Sequence, residues 1–326
     1  MFKRGVIKRL VTSAVFIGTL LVSSTLSKTL EERIEPNELG KIMILEYHNF
    51  SDKEERWTRS YENFKNDLGT LYKEGYRLVN IDDIIKDNIN VTKGFKPVVL
   101  TFDDSSENQF RLKDNKLDEN SAVGIMHEFY KKHHDFGFTG TFYIIQPPFG
   151  KTGYWKEKLS VLKNLGFDIG NHTINHSDLS KIKPEKIPEV ITKAIIEWKK
   201  ALGNDFTTNS LALPFGVIPK SDLANKLIVE GNFNGIQYKN EMILLVGSGP
   251  SLSPYHINYN PERVPRIQVI TKDFDKNVYF DKFIEYFRKN PKEYFISDGN
   301  PDTITIPKNL SRYLNEKAKK RKVIEY

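Results

Sequence analysis

Short apolar runs of strand length alternate with longer segments of helical periodicity along most of this 326-residue chain. In the segment 60–74, for example, Tyr61, Phe64, Leu68 and Leu71 recur at helical spacing. Strands separated by helices pair in parallel, so the alternation predicts an α/β sheet or barrel. We predict strands at 42–47, 77–81, 98–102, 140–145, 167–170, 211–213, 235–238, 243–246 and 264–270.

The first 27 residues have the pattern of an export segment. Lys3, Arg4, Lys8 and Arg9 precede an apolar run over residues 10–22. The run is short enough for either a cleaved signal peptide or a signal-anchor. We therefore expect a secreted or extracytoplasmic protein associated with the cell wall or membrane. Residues 28–40 are polar and are predicted to form a tether, which leaves 41–326 as one domain.

Composition excludes several classes of protein. The chain contains no cysteine, so neither disulfides nor a lipid-modified cysteine is available. Its formal charge is +7, but four of the positive charges lie in residues 1–27, which leaves +3 (7 − 4) for the remainder. Such a small excess does not indicate a nucleic-acid partner.

An aspartate pair follows the apolar strand at 98–102. Asp103 and Asp104 place two like charges side by side at the end of a buried strand. This arrangement is unfavourable unless a cation or hydrogen-bond donors compensate it. The pair therefore predicts either a metal site or a cap on the next turn.

A histidine pair follows the strand at 167–170. We expect His172 and His176, four residues apart, to lie on one face of a helical turn, where both imidazoles reach one ion. Two histidines and one aspartate leave an open coordination position, which is the arrangement of a catalytic site. Without cysteine, nitrogen and oxygen ligands favour zinc or a similar divalent ion.

A third segment, Pro214, Phe215 and Gly216, follows the strand at 211–213. Its turn can present backbone N–H groups to a ligand. All three segments lie at the carboxyl ends of predicted parallel strands, which share one face in a barrel. The sequence therefore predicts that they meet in one site.

Together these segments resemble the polysaccharide deacetylases, the NodB-homology domain of carbohydrate esterase family 4. The resemblance lies in TFDD at 101–104, HTINH at 172–176 and PFG at 214–216, with support from LEYHN at 45–49 and GTFY at 140–143. It implies a distorted (β/α) barrel with about seven strands. It also implies a metal-dependent hydrolase that deacetylates an extracellular or cell-wall polysaccharide, with an N-acetylglucosamine polymer as the favoured substrate.

The resemblance assigns roles residue by residue. Asp103 would be the catalytic base, and Asp104, His172 and His176 would bind the divalent metal, with zinc as the first choice. Pro214, Phe215 and Gly216 would contact the substrate, and the backbone N–H of Phe215 would face the oxyanion.

The chain departs from the family pattern at two positions. Ala212 stands where the family has an arginine that pairs with the base, and Arg111, Arg263 and Arg266 are the candidate substitutes. The late histidine that protonates the leaving group has no clear match. His256 is the predicted general acid, and His48, after the first strand, is the alternative near the site. The missing arginine leaves open a catalytically impaired glycan-binding protein with the same fold.

Overall fold

The computed structural model describes residues 35–114, 116–150 and 153–326. The predicted export segment, 1–27, lies outside the described residues. The compact unit of the chain begins at Pro36, inside the segment 28–40 that the sequence predicts as a tether. The backbone N–H of Asn37 donates to the carbonyl of Ile296 over 2.9 Å, and Glu38 is buried. Among the described residues, no helix combines the length and apolar character needed to cross a membrane.

Strands and helices alternate as the sequence predicts. The strands are β1 (Met43–Tyr47), β2 (Asn49–Ser51), β3 (Thr58–Ser60), β4 (Tyr76–Val79), β5 (Lys96–Asp103), β6 (Leu112–Lys113), β7 (Lys116–Leu117), β8 (Thr141–Ile144), β9 (Asp168–Asn171), β10 (Ser210–Ala212), β11 (Glu230–Phe233), β12 (Ile236–Lys239), β13 (Met242–Leu244), β14 (Ile267–Gln268), β15 (Thr303–Ile306) and β16 (Lys322–Glu325). The α-helices are α1 (Tyr61–Lys73), α2 (Ile81–Ile85), α3 (Ala122–Tyr130), α4 (Trp155–Asn164), α5 (Ile187–Leu202), α6 (Asp222–Val229), α7 (Phe280–Lys289) and α8 (Glu316–Lys319).

The main sheet is parallel and curled. In the described part of the chain, seven strands run in the order β13-β10-β9-β8-β5-β1-β14, and β4 lies beside the first half of β5. A short segment joins the two sides of the sheet: Val264 bridges to Leu244 of β13, and Ile267 pairs with Leu45 of β1. The predicted distorted barrel of about seven strands is thereby confirmed.

The helices bury apolar faces against this sheet. In α1, the side chain of Ser60 accepts a hydrogen bond from the backbone N–H of Asn63 and so caps the first turn. The same helix buries Phe64, Leu68 and Leu71. Each of these side chains contributes about 1.5–3 kcal/mol of hydrophobic stabilisation. This packing holds the strands, and therefore the loops at their carboxyl ends, in fixed positions.

One strand lies outside the main sheet. The strand predicted at 235–238 exists as β12, but it pairs with β11 in an antiparallel hairpin. Asn234 and Gly235 connect the two strands, and both have positive φ angles of 51° and 78°. An Asn-Gly pair in this conformation forms the tight turn of a two-residue hairpin. The local turn therefore determines the partner of β12.

Candidate active site

The aspartate pair lies where β5 ends. Asp103 is its last residue and is 1 % exposed. The chain leaves the strand through two residues in the left-handed region, Asp104 (φ 69°) and Ser105 (φ 45°). Neighbouring backbone holds this strained turn, because the carbonyl of Ser105 accepts the N–H of Phe149 over 2.7 Å. The hydroxyl of Ser105 also donates to the carbonyl of Ile145 over 3.1 Å.

Arg266 supplies the positive charge that Ala212 lacks. Its guanidinium donates to both carboxylate oxygens of Asp103, from Nη1 over 2.8 Å and from Nη2 over 2.7 Å. Burial alone would raise the pKa of Asp103, but the charge of Arg266 outweighs it and holds that pKa well below its usual range. The other two candidates lie elsewhere: Arg111 pairs with Asp118, and Arg263 is exposed.

The histidine pair lies on a loop, so the prediction of a helical turn is wrong. His172 follows β9, and both Thr173 (φ 56°) and His176 (φ 51°) adopt left-handed backbone angles that no helical turn contains. Side chains replace the missing helical hydrogen bonds. Asn171 Oδ1 accepts the N–H of Thr173 over 2.8 Å, and Thr173 Oγ1 accepts the N–H of Ser177 over 2.7 Å.

Asp104, His172 and His176 nevertheless converge, with one ligand atom of each within 4.8 Å of the others. Asp104 Oδ1 lies 3.5 Å from Nε2 of both histidines. Nδ1 of His172 lies 2.8 Å from the carbonyl of Ala212, a contact that leaves Nε2 to face the cluster.

The polar atoms of this cluster fit a cation. Asp104 Oδ1 and His172 Nε2 are buried, and neither has a hydrogen-bond partner among the described residues. Buried polar atoms are normally satisfied, so these two are explained by a ligand placed between them. Burial would raise the pKa of Asp104, but the nearby imidazole of His172 lowers it overall. A carboxylate and two imidazoles in this arrangement are suitable ligands for a divalent metal ion.

A second polar group lies beside the first. Glu46, His48 and Asp103 also offer ligand atoms within 4.8 Å of one another. The guanidinium of Arg266 lies 2.7 Å from Asp103 and 3.6 Å from Glu46. Because this fixed positive charge repels a cation, the second group fits a metal poorly. His48 therefore lies at the site without being a ligand, and its ring contacts that of Trp57 at 4.8 Å between centroids.

The third predicted segment also reaches the site. Pro214 is buried, whereas Phe215 is 60 % exposed and its ring lies 4.5 Å from the ring of His176. Phe215 has a φ of 61°. Gly216 is needed for a close approach, because a Cβ at this position would lie 2.7 Å from Cβ of Val246. The turn therefore brings Phe215 against one of the candidate ligands.

His256 does not reach the site, so its prediction as general acid is wrong. Its backbone bridges to Leu314, and its ring stacks on Tyr313 at 5.6 Å. It shares a cavity with Leu39 and Lys41, which precede β1. His256 therefore lies at the amino ends of the strands, whereas His48 directly follows β1 at the carboxyl end.

Glu46 is the residue that sequence reasoning missed. It is a charged residue inside an otherwise apolar strand, MILEY, and it is 1 % exposed. Burial raises its pKa, and the charges of Arg266 and His48 act in the opposite direction. The sequence signal that could have identified Glu46 is a single carboxylate within an otherwise apolar strand.

Comparisons with known proteins agree with this geometry. Residues 90–227, which include all the predicted site residues except His256, match the family model described as polysaccharide deacetylase. No curated protein sequence matches the chain. Solved structures with the same fold include the Streptococcus pyogenes deacetylase PplD, with 19% identity over 71% of this chain and 92% of that chain and a TM-score of 0.52. IcaB from Ammonifex degensii is similar, with 17% identity over 72% and 94% and a TM-score of 0.53. The chain therefore contains a segment, residues 90–227, that matches the polysaccharide deacetylase model, and it shares the fold of these solved deacetylases.

Proposed function

We propose that this protein is a metal-dependent hydrolase that removes acetyl groups from an extracellular or cell-wall polysaccharide, with an N-acetylglucosamine polymer as the favoured substrate. One observation carries the proposal. A buried, ionised carboxylate, Asp103, is held by Arg266 directly beside a cluster of unsatisfied metal-ligand atoms. A module that only binds glycan needs no such base, whereas acetyl hydrolysis does.

Asp104, His172 and His176 are the proposed metal ligands. They supply one carboxylate and two imidazoles and leave coordination positions open, which suits zinc in a catalytic site. When bound, such an ion supplies Lewis-acid chemistry: it lowers the pKa of water and polarises a carbonyl. Nδ1 of His172 lies at hydrogen-bonding distance from the carbonyl of Ala212. This contact fixes the orientation of the ring and leaves Nε2 as the ligand atom.

Asp103 is the proposed general base. The pair of hydrogen bonds from Arg266 keeps it ionised and restricts its rotation. It can therefore accept the proton of the attacking water at neutral pH. From its position directly before β14, Arg266 performs the task that the family assigns to an arginine at position 212.

His48 is the proposed general acid, in place of His256. Its side chain is 14 % exposed, so it lies at the site while remaining accessible to a substrate. It would donate a proton to the leaving nitrogen or oxygen as the acetyl group departs. The backbone N–H of Phe215, next to His176, is the proposed donor to the oxyanion.

Two observations bear on the alternative and on location. The glycan-binding alternative depends on the absence of an arginine at position 212, where this chain has Ala212. Because Arg266 pairs with Asp103 instead, that absence no longer argues against catalysis. Secretion or cell-surface attachment rests on the basic and apolar pattern of residues 1–27.

Acetate release from acetylated glycans tests the proposal. We expect release from N-acetylglucosamine oligomers by the purified protein, its loss with chelator and its return with zinc. Asp103→Asn should lower the rate by about 10²- to 10⁴-fold, the usual contribution of a general base. Asp168→Asn is the matched control, because Asp168 is also buried but lies at the opposite end of its strand, β9.

The outcomes separate the candidates. If Asp168→Asn and Asp103→Asn lose activity equally, the loss reflects folding and the role of the base is wrong. If the wild-type protein binds zinc and acetylated glycan but releases no acetate, the deacetylase proposal fails and the glycan-binding alternative replaces it.

A further inference from the structure

One buried carboxylate has no part in the mechanism proposed above. Glu46 lies in β1, where the other four residues are Met43, Ile44, Leu45 and Tyr47, and all five are buried. Burying an ionisable group in such a strand is unfavourable unless it has specific partners. Its partners therefore indicate what Glu46 does.

The two oxygens of Glu46 have different surroundings. Oε2 accepts the backbone N–H of Gly247 over 2.9 Å, which fixes the orientation of the carboxylate. Oε1 is buried and has no hydrogen-bond partner among the described residues. It lies 3.6 Å from Nε2 of His48 and 3.6 Å from Nη2 of Arg266. One of these two side chains is the partner of Oε1.

Arg266 already has its partners. Its guanidinium donates to both oxygens of Asp103, to the hydroxyl of Thr101 over 3.1 Å and to the carbonyl of Leu245 over 2.8 Å. His48, in contrast, has Oε1 of Glu46 as the carboxylate oxygen within ion-pair range of its Nε2. Oε1 is therefore better placed to serve His48 than to neutralise Arg266.

We infer that Glu46 is the positioning residue for His48: Oε1 accepts the Nε2–H of the ring and so leaves Nδ1 to carry a proton toward the leaving group. This inference rests on the proposed deacetylation with His48 as the acid. It assigns the two ring nitrogens different tasks, as the partner of one nitrogen sets the tautomer of the other. The small approach needed to shorten 3.6 Å to a hydrogen bond is of the kind that substrate binding produces.

Glu46→Gln tests the inference with two substrates. Gln keeps an oxygen for the N–H of Gly247 but loses the carboxylate that faces His48. An acetamide has a poor leaving group and needs the acid, whereas 4-nitrophenyl acetate has a good leaving group and needs it little. We expect kcat for an N-acetylglucosamine oligomer to fall about 10- to 100-fold, with KM little changed, and the ester rate to fall by a much smaller factor.

A double mutant shows whether the two residues act together. His48→Gln should reproduce the same difference between amide and ester. Glu46→Gln combined with His48→Gln should then lose no more activity on the amide than His48→Gln alone, because residues that act as a unit are not additive. Equal losses of Glu46→Gln on both substrates, or full additivity with His48→Gln, would mean that Glu46 only balances the charge of Arg266.

A spectroscopic readout does not depend on activity. In ¹⁵N NMR of the full chain, His48 should show a protonated Nε2 in the neutral ring, and Glu46→Gln should shift the ring toward a mixture of tautomers. An unchanged tautomer in Glu46→Gln would overturn the inference even if activity falls. If the wild-type protein releases no acetate from any glycan, the proposed function fails, and this measurement still decides whether Glu46 orients His48.

Discussion

Two buried carboxyl groups, Asp103 and Glu38, lie at opposite ends of the barrel and ionise in opposite ways. Asp103, at the carboxyl end of β5, is 1 % exposed, and Arg266 keeps its pKa well below the usual range. Glu38, before the amino end of β1, is 3 % exposed, and burial raises its pKa to about 8. Glu38 accepts backbone N–H groups from Thr305 and Asp298, but the carboxylate of Asp298 opposes its ionisation.

The difference shows that burial alone does not create a catalytic base. Both groups lose hydration, which raises the pKa of a carboxyl. Only Asp103 has a guanidinium at hydrogen-bond distance on both oxygens. The counter-charge, and not the depth, therefore separates a group that can take a proton at neutral pH from one that already holds it.

Removing the guanidinium of Arg266 should abolish the difference in ionisation between Asp103 and Glu38. Of the changes predicted here, it should have the largest effect on activity. Arg266→Met leaves Asp103 buried without a partner, so its pKa should rise toward that of Glu38. We expect activity at pH 7 to fall about 10²- to 10⁴-fold and the protein to be destabilised by about 3–5 kcal/mol. Acetate release measures the activity, and urea unfolding measures the stability. Arg263→Met is the control, because Arg263 is exposed three residues earlier; a similar loss there would contradict the role of Arg266.

The two histidines offer the next test, one at each end of the barrel. His48→Gln should lower the rate on an N-acetylated glycan by about 10²-fold or more, because it removes the proposed acid. His256→Gln should leave the rate unchanged, because its ring stacks on Tyr313 far along the strands from the site. Steady-state kinetics of the two variants decide the matter. A loss in His256→Gln with normal activity in His48→Gln would reverse the assignment.

The pH dependence of stability sharpens the comparison at the amino end. The pKa of Glu38 is about 8 in the folded protein, against 4.5 as its ordinary value. The folded state therefore binds more protons between these values, and the free energy of unfolding should fall as pH rises from about 4.5 to 8, by about 1.4 kcal/mol per unit of pKa difference.

Glu38→Gln should flatten this fall, since Gln mimics the protonated acid. Urea unfolding from pH 5 to pH 9 measures the free energy of unfolding of the wild-type protein and of the Glu38→Gln variant. A parallel fall in the variant would show that Glu38 is not the group responsible.

The smallest expected effect concerns the aromatic rings that touch the two histidines. Trp57 is 44 % exposed beside His48, and Arg56 lies over its ring at 5.5 Å while donating to the carbonyl of Phe274. A sugar stacked on this ring would gain about 0.5–1.5 kcal/mol. Trp57→Ala should therefore raise KM for a glycan oligomer about 2- to 10-fold with little change in kcat. Tyr313→Ala, beside His256, is the control and should change neither; an equal effect would contradict a role for Trp57 in binding.

Much of the fold could be predicted because its signals are local. The apolar runs at β1, β5, β8, β9 and β10 have strand length, and the helices between them have helical periodicity. The convergence of Asp104 with His172 and His176 was also predictable, since all follow parallel strands.

The remaining parts depend on contacts between distant residues. Arg266 lies 163 positions from Asp103, so the sequence offered three candidate arginines without selecting one. His256 was misplaced because a position in the chain does not show which end of the barrel a loop reaches. The spacing of His172 and His176 predicts a helical turn, and nothing in the sequence signals the loop, because its left-handed residues, Thr173 among them, carry ordinary side chains.

The position of Arg266 has a consequence for when the site becomes complete during synthesis. The proposed base, Asp103, belongs to the first third of the chain, whereas its counter-charge comes from Arg266, directly before β14, the last strand of the main sheet along the sequence. A chain that has emerged only as far as the metal-ligand loops holds a carboxyl that burial would neutralise. The counter-charge of Asp103 is therefore added late in synthesis, with residues 264–268, which join the two sides of the barrel. If the proposed function holds, a chain without residues 264–268 would leave Asp103 without its counter-charge and would release no acetate.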